Sequence, residues 1–136
     1  MRDASADTSE PHFLIVGDST DVPLVRDMLS RLPADAYGQV FIEVAVDLQI
    51  QRWDPPGRMS ITWLVRDGSS LVSGGRMAAR GEKAAAAASA WISEWMPDRA
   101  ESHDAPYVLW IGCSASVRVG RLCRHLSTRL DRRAEP

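Results

Sequence analysis

Two short turns carry the residues of this sequence whose types and spacing could support chemistry. Gly17-Asp18-Ser19-Thr20 follows the apolar run Phe13–Val16, and Gly112-Cys113-Ser114 follows the apolar run Tyr107–Ile111. Each turn leads into a predicted helix, and the first backbone N–H groups of a helix favour anions such as phosphate. If the two runs are neighbouring strands of a parallel sheet, both turns lie at its carboxyl edge, where α/β folds bind ligands. Nucleotide binding at this edge is therefore one hypothesis.

Acidic residues in the first turn argue against a phosphate site there. Asp18 and Asp21 place two negative charges beside the start of the first predicted helix. The turn also matches neither the G-x-G-x-x-G pattern nor a P-loop. The alternative is that any doubly wound fold needs compact turns at these positions, whatever it binds.

Two further side chains at predicted strand ends have the chemistry of nucleotide contacts. Asp47 follows the second predicted strand, where a carboxylate can bond a ribose hydroxyl, and Arg66 ends the third, where a guanidinium can pair with a phosphate. Asp47 lies about 30 residues after Gly17, which is longer than the usual interval of about 20. A solvated charge explains each of these two residues at least as well.

No nucleophile–base–acid set can be assembled from the sequence. A Cys113–His103 pair is conceivable because the loop with His103 precedes the strand that leads to Cys113, but nothing in the sequence brings the two side chains together. Cys113 and Cys123 form neither a C-x-x-C motif nor a Cys/His ligand cluster. Two reduced structural thiols are expected, and neither a metal site nor a catalytic residue is predicted.

The periodicity of apolar residues predicts the element order β-α-β-loop-β-loop-α-β-α. The predicted strands are Phe13–Val16, Val40–Val46, Ile61–Arg66 and Tyr107–Ile111. Of the three predicted helices, the first begins after an N-cap at Thr20, the second spans Glu82–Met96, and the third runs from about 115 to 130. Strands that alternate with helices imply a mostly parallel sheet. We predict an α/β fold, a Rossmann-like three-layer sandwich with about four strands and helices on both faces.

Composition and charge narrow the function classes. The 136 residues suit one domain, and a net charge of -2 gives no attraction to nucleic acid or anionic membrane. No apolar run approaches the roughly 20 residues that span a bilayer. Residues 1–11 are polar and lack the pattern of a signal peptide, so we expect a flexible N-terminal tail, a short C-terminal tail at 131–136 and a cytoplasmic protein.

Six segments between residues 12 and 130 resemble, in order, the C-terminal domain of siderophore-interacting proteins. Gly17-Asp18-Ser19-Thr20-Asp21-Val22-Pro23 resembles the Gly-Asp-Glu-Thr-x-x-Pro segment that opens that domain. The later segments that resemble it are Leu32-Pro33-Ala34, Phe41-Ile42-Glu43-Val44, Ile61-Thr62-Trp63-Leu64, Leu109-Trp110-Ile111-Gly112 and Arg124-His125-Leu126. Together, their order and spacing are specific.

The resemblance implies a nucleotide site. Family members are flavin-dependent ferric-siderophore reductases related to ferredoxin reductases, in which an N-terminal barrel binds FAD and the domain resembled here binds NAD(P)H. The first turn would then face the nucleotide and the last turn the nicotinamide. With Arg66 from the strand-end argument, the predicted cofactor-binding residues are Gly17, Asp18, Ser19, Thr20, Arg66, Gly112, Cys113 and Ser114.

The sequence also departs from the family pattern. Ser19 and Ser114 stand where the family has glutamates, and only a short tail precedes Phe13. We therefore expect NADPH or NADH but no FAD on this chain, which leaves open whether it is an enzyme. Ferric-siderophore reduction would need a separate flavoprotein as partner.

Two other functions compete with this hypothesis. A non-catalytic interaction module would have kept the fold and lost the nucleotide. Its partner would be another protein or, in a homo-oligomer, a second copy of the chain, and joint exposure of Trp53 with Trp91 or Trp95 would mark its interface. A thiol enzyme that uses Cys113 is the third hypothesis.

Overall fold

The computed structural model describes residues 11–67, 77–95, 107–112, 116 and 118–124. Within these ranges, strands alternate with helices. The strands are β1 (His12–Asp18), β2 (Tyr37–Val44), β3 (Arg58–Val65) and β4 (Tyr107–Ile111). The helices are α1 (Val22–Ser30), α2 (Glu82–Trp95) and α3 (118–124), and short 3-10 helices span Ser19–Asp21 and Asp47–Gln49.

The strands form one parallel sheet in the order β3-β2-β1-β4. β1 pairs with β2 from His12 opposite Tyr37 to Asp18 opposite Glu43, and it pairs with β4 on its other side. β2 and β3 pair along their whole lengths. The predicted parallel sheet of about four strands is confirmed, and the strands before the two candidate turns are neighbours.

Helices cover both faces of this sheet. Ile15 belongs to the buried cluster that includes Val25 and Leu29 of α1, whereas Leu14 and Val16 belong to the cluster that includes α2. Because successive side chains of a strand point to opposite faces, α1 and α2 lie on opposite sides. The predicted three-layer arrangement is confirmed.

The alanine run of α2 lets this helix lie close to the sheet. Ala84 and Ala88 are fully buried at i,i+4 spacing, and Trp91 and Ile92 fill the space one turn later. The predicted helix agrees with the structure as far as Trp95, and Met96 lies outside the described residues.

β2 begins earlier than predicted because its first residues pair on both sides. The predicted start at Val40 is wrong, because Tyr37 and Gly38 are already paired with residues of β1 and β3. A Cβ on Gly38 would lie 2.1 Å from the Phe13 carbonyl oxygen. Glycine is therefore required where β1 and β2 approach most closely. The pairing of β2 with β3 also extends β3 back to Arg58, three residues before its predicted start at Ile61.

β2 ends earlier than predicted because a side chain takes over its backbone donors. Gln49 Oε1 accepts hydrogen bonds from the Ala45 N–H at 2.7 Å and the Val46 N–H at 3.1 Å. Strand prediction through Val46 was therefore wrong by two residues. The apolar residues Ala45 and Val46 continue the strand pattern, and nothing in that pattern indicates that the Gln49 side chain binds their N–H groups.

Several predictions concern residues outside the described ranges. These are residues 1–10 of the N-terminal tail, the C-terminal tail at 131–136, the loop residues 68–76, His103, and the ends of the last predicted helix at 115 and 125–130. Inside the range 118–124 the helix is present, and Val119, Leu122 and Cys123 pack against the cluster on the α2 face, as predicted.

A buried carboxylate fixes α2 to the sheet. Glu43, near the end of β2, has a side chain only 1% exposed. It accepts hydrogen bonds from the N–H groups of Gly81 at 2.7 Å, Lys83 at 3.0 Å and Ala84 at 3.1 Å. These are donors at a helix start that have no helical partner, and the positive end of the helix dipole favours a negative charge there.

We expect Glu43→Gln to destabilise the fold by roughly 2–3 kcal/mol, because hydrogen bonds to a charged acceptor are lost and an amide NH2 meets backbone donors. Urea unfolding followed by circular dichroism measures this loss. Asp27→Asn is the matched control, since Asp27 is exposed and pairs with Arg31 only at the surface and should cost less than about 0.5 kcal/mol. Equal losses in the two variants would contradict the role of Glu43.

An aromatic cluster closes the opposite, amino edge of the sheet. The His12 ring stacks on Tyr37 at 4.4 Å between centroids and meets the edges of Trp91 at 4.8 Å and Trp95 at 4.7 Å. Its Nε2 atom is buried and has no hydrogen-bond partner among the described residues. Burial lowers the pKa of His12 below its usual value of 6.5, and a hydrogen bond to Gln39 acts in the opposite direction.

This environment predicts loss of stability in mild acid. Folding holds His12 neutral, whereas the unfolded chain takes up a proton as the pH falls through about 6.5. His12 therefore contributes stability above that pH, and the contribution is lost below it. His12→Phe keeps a ring and removes the titration, so the variant should lose less unfolding free energy than wild type between about pH 7.5 and about pH 5. Parallel losses in urea titrations would contradict this.

Candidate functional site

The first turn is closed by its own carboxylates. Asp18 caps the 3-10 helix: its Oδ1 accepts the Thr20 N–H at 2.9 Å and the Thr20 hydroxyl at 2.6 Å. In return, Asp21 Oδ2 accepts the Asp18 N–H at 2.9 Å. The prediction of Thr20 as helix N-cap is therefore wrong. Asp18 caps the 3-10 helix that contains Thr20, and α1 begins only at Val22, with Asp21 as its N-cap residue.

The two predicted turns meet at Asp21. Gly112 donates its N–H to the Val16 carbonyl at 2.8 Å, which continues the β1–β4 pairing past the end of β4. A Cβ on Gly112 would lie 2.7 Å from Asp21 Oδ2 and 2.6 Å from the Trp110 ring. The structure thus brings Gly17–Thr20 and Gly112 together, while Cys113 and Ser114 lie outside the described residues.

Internal carboxylates occupy backbone donors at this edge, including donors of the first turn, where the anion hypothesis places a ligand. Asp18 and Asp21 take two N–H groups in the first turn, and Glu43 takes three at the start of α2. A phosphate at either position would have to replace a carboxylate that is already bonded. Among the described residues, these donors of the first turn and of the start of α2 are therefore not open to an external anion.

A groove opens beside the first turn on the α1 side. Its volume is about 380 Å³, and it is lined by Ser19, Val22, Pro23, Val44, Leu48, Gln49 and Gln51. Leu48 is 91% exposed on the short helix after β2. The walls combine apolar surface with hydroxyl and amide groups, which is the mixture that a nucleoside needs. Asp47 is exposed at the start of the same short helix.

Two guanidinium groups lie on the α2 side of the same edge. Arg66 Nε is 3.9 Å from Glu43 Oε1, and its Nη1 donates to the Ala78 carbonyl at 3.4 Å. Arg80 Nη2 is 3.7 Å from Asp18 Oδ2. The predicted residue Arg66 is therefore held by the chain at this edge rather than pointing freely into solvent.

Sequence reasoning missed Glu43 and Arg80. Glu43 interrupts an apolar strand, and a lone charge in such a run is a usable signal for a buried, bonded carboxylate. Arg80 follows a stretch without clear periodicity, so no pattern marked it. Ser116, two residues after the second turn, is buried. Its hydroxyl donates to the Arg80 carbonyl at 3.3 Å and accepts the Val119 N–H at 3.2 Å.

The tryptophans do not form a shared surface. Trp53 lies on the α1 face, in edge contact with Trp63 at 5.1 Å between centroids and with the Arg26 guanidinium 5.7 Å above its ring. Trp91 is buried on the α2 face and Trp95 packs beside it. The joint exposure that would have marked an interface is absent for these residues. Trp53 does line a separate groove of about 570 Å³ along β3.

The described part of the chain lacks both a metal-binding cluster and a membrane-spanning helix. It holds no group of three or more His, Cys, Asp or Glu side chains arranged to bind a metal. None of its helices is long and apolar enough to cross a membrane.

Burial raises the pKa of the half-buried Cys123 thiol, which makes it less reactive.

Comparison with known proteins places the chain in a family. The model of the siderophore-interacting protein family matches residues 10–134. A siderophore utilization protein from T. fusca shares 27% identity, with a TM-score of 0.62 over 87% of this chain and 39% of its own length. The siderophore-interacting protein SipS from Aeromonas hydrophila shares 25% identity, with a TM-score of 0.40 over 48% of this chain and 29% of its own length.

The chain thus spans about two fifths of the T. fusca protein and less of SipS. Its family match runs through both candidate turns and the parallel sheet that joins them. On this match, which covers most of its length, the chain belongs to the siderophore-interacting protein family.

Proposed function

We propose that this chain is the nucleotide-facing domain of a ferric-siderophore reductase system and binds NADPH or NADH at the carboxyl edge of its sheet. The observation that carries the proposal is the groove beside the first turn, because it lies where parallel α/β sheets bind nucleotides. Family membership supports the same assignment.

The residues present fit a dinucleotide in part. Val22, Pro23 and Leu48 offer apolar surface for a purine ring, and Ser19 and Gln51 offer hydrogen-bonding groups for ribose hydroxyls. Arg66 would serve the phosphates, whose negative charge the carboxylates of the first turn disfavour. Bound NAD(P)H would supply a hydride to a flavin.

The groove gives a direct test by isothermal titration with NADPH and NADH. Leu48→Ala should weaken binding about fivefold, because roughly 1 kcal/mol of apolar contact with the ligand is lost. The fold should be unaffected, since Leu48 is almost fully exposed in the structure. Leu24→Ala is the matched control: Leu24 is also exposed, but it does not line the groove, and affinity should stay within a factor of about two.

Two results would count against the proposal. Absence of binding at millimolar cofactor, with folded protein, removes NAD(P)H from this chain. Equal weakening by Leu48→Ala and Leu24→Ala moves the nucleotide away from the groove.

A second candidate is an interaction module that has lost the nucleotide. The observation that favours it is that the carboxylates of Asp18, Asp21 and Glu43 already occupy donors at both helix starts. The apolar groove at Trp53 would then be the contact surface, with a second copy of the chain as occupant. Light scattering after size-exclusion chromatography discriminates: this reading requires a dimer that Trp53→Ser dissociates, whereas a monomer at all concentrations contradicts it.

A further inference from the structure

The backbone around Arg80 is held by two residues, Ser116 and Glu43. The Arg80 carbonyl accepts a hydrogen bond from the buried Ser116 hydroxyl, and the next N–H, of Gly81, donates to Glu43 at 2.7 Å. Gly81 adopts φ +84°, and a Cβ there would lie 1.8 Å from Ser116 Oγ. Because only glycine fits this conformation and this space, Arg80 always leaves the backbone at the same point beside the first turn.

The tip of the Arg80 side chain, by contrast, is held loosely. Its side chain is 47% exposed, and its Nη2 lies 3.7 Å from Asp18 Oδ2, which is longer than a hydrogen bond. Asp18 does not need this contact, because its other oxygen already accepts the Thr20 N–H and hydroxyl. The buried carboxylate therefore orients the guanidinium electrostatically and leaves donors available to a ligand.

Arg66 follows the last residue of β3 and also lies beside a buried carboxylate, but its Nη1 in addition donates to the Ala78 carbonyl. Asp18 and Glu43 are paired residues of β1 and β2, so the groups they orient, Arg80 and Arg66, are neighbours along the carboxyl edge. The Arg66 side chain is 22% exposed and lies 3.9 Å from Glu43, whose oxygens already accept three backbone donors. Two guanidiniums at neighbouring positions match a ligand with two phosphate charges, since each can bond phosphate oxygens in pairs.

We infer that Arg80 is a phosphate-binding residue of the carboxyl-edge site and acts with Arg66 on the pyrophosphate of the ligand. The inference deepens the proposed nucleotide function and rests on it for the identity of the ligand. The competing explanation is a surface ion pair between Arg80 and Asp18, which would stabilise the fold slightly and bind nothing.

The test is Arg80→Gln, with NADPH and inorganic pyrophosphate as separate probes in isothermal titration. We expect the affinity for both probes to fall by about tenfold or more, because charge-assisted hydrogen bonds are lost. Arg80→Lys, which keeps the charge but not the paired donors, should lie between Arg80→Gln and wild type. Arg31→Gln is the matched control, since Arg31 is an exposed arginine that pairs with Asp27 after α1.

Each outcome decides between the inference and the proposed function. If NADPH binds and Arg80→Gln leaves both affinities within about twofold of wild type, the inference is overturned and the proposed function stands. If only pyrophosphate binds, and Arg80→Gln alone weakens it, the inference stands and the dinucleotide is wrong. If neither probe binds the folded wild-type protein, both are overturned. Equal weakening by Arg31→Gln would show an unspecific charge effect and would also overturn the inference.

Discussion

The bond between the Glu43 carboxylate and the start of α2 is the constraint on which the carboxyl edge depends. It joins β2 to a helix that lies 38 residues or more further along the chain. The carboxylate takes the position that an external anion would have at the helix start. Its bond to the Gly81 N–H also fixes the backbone next to Arg80. Removal of a buried, bonded charge is costly, so the same contact that completes the fold also limits what the edge can bind.

The two halves of the carboxyl edge differ in their chemistry. On the α1 side, a groove of mixed polarity lies next to Ser19 and Leu48. On the α2 side, two guanidiniums are oriented by carboxylates that do not depend on them. Between the halves, Asp21 fills the space below Gly112 and joins the two turns. In the proposed complex, the described part of the edge would therefore recognise the ligand through side chains rather than through the backbone donors on which phosphate-binding turns usually rely.

Local signals in the sequence were enough for the architecture. The apolar run before Gly17, the spacing of Val25 and Leu29, and the alanine run of α2 each specify one element, and right-handed parallel connections then leave few arrangements of the sheet. The errors in β2 arose where distant contacts decide the backbone, at Gly38 against Phe13 and at Gln49 beyond the strand.

The candidate site was less accessible from the sequence, because its geometry depends on contacts between distant segments. The first turn and Arg66 were placed at the correct edge by strand order alone. Spacing did not reveal that Asp18 and Asp21 bond the turn internally, since a carboxylate that caps a turn and one that repels a phosphate have the same sequence signature. Arg80 reaches the edge only through the fold, by way of Ser116 and Glu43.

The central claim is that a dinucleotide binds across both halves of the carboxyl edge. A titration of the ¹⁵N-labelled protein with NADPH, followed by amide chemical shifts, tests it most directly. The account expects shifts at Ser19, Val22 and Gln49 in the groove and at Gly81 beside the guanidiniums. Shifts confined to the Trp53 groove or to the aromatic cluster at His12, or no shifts at millimolar NADPH, would contradict it.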